Sequence, residues 1–521
     1  MMSGDTTFGA MDSLPSREAT GSQAEPASPL LRRVQAWAAV MLATRIVLGT
    51  MLSYALAPFA PAESHQPERL AFLEHMANSA PFGRTLLFNV AAGNSVFADP
   101  TVRGAVYLVG VVLASTAFAA VLRLLVRSRG EPDPRVTRTL LWTSVAVAIV
   151  AVLRYPSFTN DMWMSVAWGR MIVSHVNPYY HDFTPAAMDG IPFQSFPLHM
   201  TYGPLWAMIT AALAWLSRST VLGGYYLQKV LLAAAWVATL LVVHRLAARR
   251  SARHAAIAVC LFGWMPVSAG YAIGEGHNDV VLALGIGLFA LGLLERRTAL
   301  ALAALTASIL VKYVSLPLAL IGLLYVVRLP APERRRALLA GAVCAVAAAL
   351  CFAMFWRGPG FFEPVETMQG WHFLTPSTVT GYLLRLVDLN VPQWLLDGVL
   401  LLAMTALAGA ALGVWVKQPD EHRLLRAMLA LLAVVLFCLV GHVWPWFTMW
   451  LLPLASVEFE TAPVWLLLAF IWMEPILNLS WFMERDLRLV EPLGALSYGM
   501  AIAITLLLLA YRRRALATEP A

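Results

Sequence analysis

Charge is the scarcest resource in this chain. Of 521 residues only 13% are Asp, Glu, Lys or Arg, while 59% are hydrophobic and the mean hydropathy is +0.68. A water-soluble protein of this length could not cover its surface with so little charge, so the composition excludes a soluble globule and indicates a polytopic helical membrane protein. Lysine is scarcer still, confined to Lys229, Lys312 and Lys417, so the net charge of +7 is carried by arginine. In a membrane chain that excess reports orientation and gives no reason to expect nucleic acid as a partner. Cysteine is also rare. Cys260, Cys344, Cys351 and Cys438 all fall in apolar stretches without CxxC spacing, which excludes a disulfide framework and a zinc pattern. No internal repeat is visible, and no Gly-rich or acidic nucleotide-sugar motif occurs. The first 30 residues lack the basic-then-apolar order of a cleavable signal, so the first span is expected to serve as the insertion signal.

Long apolar segments dominate what is present: 36–58, 105–126, 139–153, 227–244, 255–272, 279–294, 337–355, 394–416, 424–440, 463–479 and 493–511, with shorter ones between. They predict an all-α fold of roughly 13 to 15 membrane-embedded helices. Arginines cluster at Arg32–Arg33, Arg123 to Arg138, Arg245 to Arg253, Arg296–Arg297, Arg328 to Arg336, Arg423–Arg426 and Arg512 to Arg514. Placed inside, they put both termini in the cytoplasm and assign 59–104, 154–203, the Gly276-His277-Asn278 turn, 356–393, 441–445 and 480–492 to the outer face. Four regions follow: a disordered cytoplasmic segment over 1–33, two spans with an outer loop over 34–138, a membrane core over 139–355 with the outer loop 154–203, and further helices and outer loops over 356–521.

Two segments resist simple spanning. Residues 204–216 are apolar for only about 20 Å at 1.5 Å per residue, short of a ~30 Å hydrocarbon core, and are read as a half-span or re-entrant piece. Residues 298–328 carry arginines at both ends and Lys312 in the middle, a pattern that predicts a hairpin of two short helices with Lys312 at its apex. Broken helices at membrane depth are tolerated where they line a cavity, so the apex is a candidate binding site.

The richest polar run begins at Asp161. From there Ser165, Gly169, Arg170, Ser174 and His175 recur at helical spacing among Trp163, Met164, Trp168 and Met171, as in an interfacial helix. Asn160 or Thr159 can cap it, which places Asp161 in the first turn, where the macrodipole favours an ionised carboxylate able to take a proton from a hydroxyl. Asn278 and Asp279 are good caps for the helix they precede, whereas His277 has no such structural reason and could bind a hydroxyl or phosphate oxygen. His372 and His442 fall on the same predicted face, beside tryptophans that anchor interfaces or stack on sugars. These histidines lack metal-ligand spacing, and no metal is assigned. Arg45, in the middle of the first span, has no evident partner, and Arg485 and Arg488 fit a solvated mixed-charge loop better than a phosphate site.

The order Asp161-Met162-Trp163, Ala167-Trp168-Gly169-Arg170, Asn177-Pro178-Tyr179, Tyr202-Gly203-Pro204-Leu205 and Gly276-His277-Asn278-Asp279 resembles the GT-C glycosyltransferases. Within them it is similar to the bacterial polyprenol-phosphate-mannose-dependent alpha-mannosyltransferases, from about Thr139 through Leu320. Trp444-Pro445-Trp446 with Leu452-Pro453 adds a thinner likeness. The resemblance implies an inverting transfer of a sugar, mannose by preference, from a polyprenyl monophosphate to a glycan or glycolipid acceptor, among membrane lipids, at the outer face of a bacterial plasma membrane. Asp161 would be the general base, with no metal or other cofactor. Tyr179, Tyr202, His277, Asn278, Lys312, His372 and His442 are the candidate substrate-binding residues, Lys312 for the leaving phosphate. A transporter or flippase of lipid-linked sugars is the alternative, less favoured because no repeat is visible and most polar candidates lie in loops.

Overall fold

A computed structural model describes residues 27–55, 100–128, 130–154, 156, 159–191, 199–369, 372–478 and 489–517. The described residues are helical and contain no strand, as the hydropathy predicts. The main helices are α1 (Pro29–Ala55), α2 (Pro100–Arg127), α3 (Pro134–Leu153), α4 (Asp161–Val173), α5 (Pro204–Leu216), α6 (Val221–Ala248), α7 (Ala252–Gly263), α8 (Asp279–Leu294), α9 (Thr298–Val311), α10 (Leu318–Arg328), α11 (Ala331–Phe355), α12 (Gln393–Lys417), α13 (Glu421–Val434), α14 (Ala462–Met473) and α15 (Val490–Ala517). Among the described residues, seven helices are long and apolar enough to cross a membrane, and six shorter apolar helices accompany them. The protein is therefore a multi-pass membrane protein. The expected disorder of 1–33 falls mostly on residues outside those described, as do Arg485 and Arg488.

The centre is built from α6, α7 and α8. Every residue of α7 from His254 to Gly263 is buried, and α8 is buried along most of its length. Around them α1 packs on α2 and α3, α9 on α8, and α14 on α15. The outermost helices, α11 and α12, bury almost nothing: Leu339, Val346 and Leu350 of α11 and Leu402 and Leu407 of α12 are exposed. Such surfaces suit a lipid environment, which is as apolar as leucine itself.

Helix direction separates two polar ends. Lys229, near the start of α6, meets the carbonyl of Gly274 just before α8, while Arg245, near its end, pairs with Glu295 just after α8. The two helices thus run the same way, with an arginine-rich end marked by Arg245, Arg249 and Arg250 and an opposite end that holds Asp161. At 28 residues α6 is about 42 Å long, more than a ~30 Å hydrocarbon core requires, so part of it stands beyond that core.

This geometry corrects the reading of 204–216. The short helix α5 lies alongside α4 and runs in the same direction, with Tyr202 beside Asp161, Trp206 bonded to Ser165, and Gly169 pressed against Thr210. The first turns of α6 run back along α4, where Tyr225 stacks on Trp163. Residues 204–216 thus form a helix paired with α4, and α6 is long and apolar enough to supply the crossing that the arginine pattern demands. The polar face predicted for α4 is likewise only partly open. Ser165 and Gly169 are buried against α5, where small residues permit close helix approach, and nearly every residue from Met162 to Gly169 is enclosed.

The hairpin at Lys312 is present. Helix α9 ends at Val311, Tyr313–Ser315 form one tight turn, and α10 starts at Leu318. The limbs return together: a side chain at Gly322 would touch Leu302, and the Tyr325 hydroxyl donates to the carbonyl of Leu293. Arg45 also finds its partner, donating to the carbonyl of Pro266 at 2.7 Å.

Candidate active site

Four separate chain segments meet around Asp161. It is the first residue of α4, preceded by Asn160, which makes no side-chain cap bond, and Thr159 does not cap the helix either. Instead the Thr159 hydroxyl reaches Nε2 of His277 at 3.4 Å, and Nδ1 of His277 lies 3.1 Å from Asp161 Oδ2. The same Oδ2 accepts a hydrogen bond from the Tyr202 hydroxyl at 3.0 Å. A carboxylate beside Nδ1 fixes the tautomer with its proton there, leaving Nε2 to accept from Thr159. Both bonds fall on one oxygen, and the Asp161 side chain keeps 18% exposure. Among the described residues Oδ1 takes no hydrogen bond.

Two glycines make this convergence possible. Gly276 adopts φ +83°, and a Cβ there would lie 2.9 Å from Met162, so only glycine allows the turn to bring His277 onto α4. A Cβ on Gly203 would lie 2.1 Å from the carbonyl oxygen of Leu310. Its absence lets the Gly203 amide bond Val311 at 3.0 Å and seats Tyr202 between Asp161 and the hairpin apex.

Lys312 occupies that apex. Its ammonium donates to Asp279 Oδ1 at 2.8 Å, and the Tyr202, Phe447 and Trp450 rings surround it with centroids 5.4, 4.3 and 5.1 Å away. Trp450 Nε1 bonds the same Asp279 oxygen. His277 is covered by Trp446, its ring centroid 4.1 Å away and nearly parallel at 10°, and Trp444 stacks on Trp446 in turn. The short 3₁₀ helix Pro445–Trp450 thus roofs both the histidine and the lysine.

Electrostatics keep Asp161 charged. Burial works to raise its carboxyl, but the His277 hydrogen bond, the Lys312 charge and the Tyr202 hydrogen bond outweigh it and hold the group below the usual carboxylate value. Tyr202 moves far upward, first through burial and then through the Asp161 charge, so its hydroxyl stays a donor.

The other predicted residues distribute unevenly. Tyr179 is 1% exposed, its ring stacks on Phe361 and its hydroxyl donates to the Tyr202 carbonyl, so it reaches the cluster only through Tyr202. His442 is buried behind Phe447, with ring centroids 5.5 Å apart. Next to Phe373, whose backbone pairs with Gly441 and Val443, His372 is exposed and makes no hydrogen bond or ion pair among the described residues. Asn278 precedes α8 but makes no cap bond, contrary to its expected capping role.

Sequence reasoning overlooked Asp279 as the partner of Lys312 and treated it as a cap. It also overlooked the neighbouring scaffold, in which Arg154 pairs with buried Glu275 at 2.7 Å and buried Lys229 bonds the carbonyls of Arg154 and Gly274. The signal was available: a lysine, an arginine and a glutamate inside or at the ends of apolar segments are costly unless paired.

Residues 77–329 match the model of a family described as alpha-(1->6)-mannopyranosyltransferase, N-terminal domain. The region is a mannosyltransferase-family domain, and the protein is a membrane glycosyltransferase. No curated protein matches the chain. The mannosyltransferase domain begins well before Thr139, where the motif likeness started, and takes in α2. It contains Asp161, Tyr202, His277, Asp279 and Lys312. The roof of Trp446, Phe447 and Trp450 comes from beyond it, so the candidate site is completed by the C-terminal helices.

Proposed function

We propose that the protein transfers a mannosyl group from a polyprenyl monophosphate to a hydroxyl of a lipid-linked or glycan acceptor, at the outer face of a bacterial plasma membrane, with inversion. One observation carries the reading: an ionised carboxylate with one free oxygen stands beside a caged lysine, the two bridged by Tyr202, whose hydroxyl touches Asp161 and whose ring touches Lys312. Asp161 Oδ1 takes the acceptor proton as the acceptor oxygen attacks the anomeric carbon. The bond from that carbon to the phosphate oxygen breaks, and the phosphate departs with the electron pair. Lys312, turning from Asp279, meets the charge that develops there. An alpha linkage formed with inversion requires a beta-linked donor. Arginine bias supports the outward orientation, because it assigns the opposite, arginine-rich end to the cytoplasm.

Purified protein in proteoliposomes, given labelled polyprenyl phosphate mannose and a crude membrane-glycolipid acceptor, is expected to move label without any nucleotide. Transfer from a nucleotide sugar in lipid-carrier-free reactions would overturn the donor assignment.

A further inference from the structure

Beside His277, hydrogen bonding is left incomplete at Asn278 and Asp279. Asn278 is 2% exposed, yet neither Nδ2 nor Oδ1 of its amide has a partner. Asp279, fully buried beside it, places both of its bonds, from Lys312 and Trp450, on Oδ1, and Oδ2 has none. Buried polar groups are normally satisfied, and leaving a carboxylate oxygen and a whole amide without partners costs free energy on folding. His277, immediately before them, is by contrast fully engaged by Asp161, Thr159 and Trp446.

The three consecutive residues connect the two reacting ends. His277 holds Asp161, Asp279 holds Lys312, and Asn278 lies between them in the chain. An inverting displacement needs the acceptor oxygen, the anomeric carbon and the leaving oxygen in line, so the sugar ring must occupy the space between base and cation. A carboxylate oxygen accepts from a hydroxyl, and an amide both accepts and donates, which is the donor and acceptor set that a polyhydroxyl ring satisfies.

The geometry points to the Asn278 amide and Asp279 Oδ2 as the subsite that binds hydroxyls of the transferred sugar. The assignment rests on the proposed transferase reading and adds to it the element that selects the sugar. Lys312 and Asp279 then couple two tasks, since the carboxylate that reads the sugar also orients the cation that meets the phosphate.

Donor binding tests this without an identified acceptor. Asp161→Asn protein in detergent is titrated with short-chain polyprenyl phosphate mannose and its 2-, 3-, 4- and 6-deoxy analogues. At least one analogue is expected to bind about 10-fold more weakly, the loss for an unpaired buried hydrogen-bonding group. Adding Asn278→Ala should weaken the natural donor several-fold and shrink that penalty toward none, since the lost hydroxyl no longer has its partner. Equal binding of all analogues, or a penalty unchanged by Asn278→Ala, overturns the subsite even if polyprenyl phosphate mannose is bound and transferred. Failure of the natural donor to bind removes the transferase reading and the subsite with it. The analogue series needs no substitution at Asn278, so the test stands even if that variant folds poorly.

Discussion

The two polar ends of the bundle use the same residue types in opposite ways. At the arginine-rich end, buried Glu458 receives Arg250, Arg426 and His422, Glu295 receives Arg245 and Arg297, and Glu421 receives Arg249. Both oxygens of Glu458 are taken. At the opposite end Asp161 and Asp279 each concentrate their bonds on one oxygen, and Asn278 has none. The comparison shows what separates fastening from function here. The carboxylates of the arginine-rich end are saturated, whereas those that the proposed function assigns to substrate are held from one side, with an oxygen on the other side that takes no hydrogen bond.

The sharpest break of this contrast is Asp161→Asn. The amide oxygen can still accept from Tyr202 and His277, but the group no longer takes a proton, so turnover should fall by ~10²-fold or more while folding is nearly unchanged. The pH dependence follows from the sign of the shift. A carboxyl held below its ordinary value is ionised throughout the neutral range, so wild-type turnover should not decline until pH falls below the usual carboxylate range. Near-normal turnover of the variant would remove Asp161 from the mechanism.

Lys312 gives the next largest effect. Lys312→Met keeps the stem within its cage of Tyr202, Phe447 and Trp450 and removes only the charge. Donor affinity and turnover should each drop about tenfold, consistent with loss of a charged hydrogen-bond partner, and Lys312→Arg should retain part of both. Asp279 complicates the comparison in a useful way. If Lys312 serves only to neutralise Asp279, Lys312→Met should lower the midpoint of thermal unfolding and leave donor affinity intact. Paired measurements of binding and unfolding separate the two roles.

Much of this was legible in the sequence for physical reasons. Scarce charge announces a membrane, and arginines flanking Lys312 require a broken helix, because one continuous span would carry Arg334 to Arg336 across. The order of Asp161, Tyr202 and His277 was readable as a motif. Their convergence was not, since the Thr159–His277 and Tyr202–Asp161 contacts join residues far apart in the chain. Period alone shows that one face of a helix is small and polar but cannot say whether it meets water or another helix, so the burial of Ser165 and Gly169 against α5 was not readable. The partners of Lys312 and His277 in Pro445–Trp450 come from a segment more distant still, and tryptophans near an interface ordinarily indicate anchoring.

The smallest effect on activity is expected from Arg250→Met, and it tests the saturated end. Arg250 bonds the carbonyl of Val457 at 2.8 Å as well as Glu458, and its side chain is 15% exposed. Methionine preserves much of the apolar stem. Glu458 would keep Arg426 at 3.0 Å and His422 at 3.4 Å, so the buried carboxylate is not stranded. Stability should then fall by about 1.5–3 kcal/mol, the range for losing a hydrogen bond to a charged group, read as a lower midpoint of thermal unfolding in detergent. The site lies about 24 Å away along α6, taking the distance from Lys229 to Arg245 at 1.5 Å per residue, and none of its hydrogen bonds involves Arg250. Donor affinity and turnover of the folded fraction should therefore match wild type. A selective loss of turnover with the unfolding midpoint unchanged would show that the two ends are coupled, and the division between fastening and function would fail.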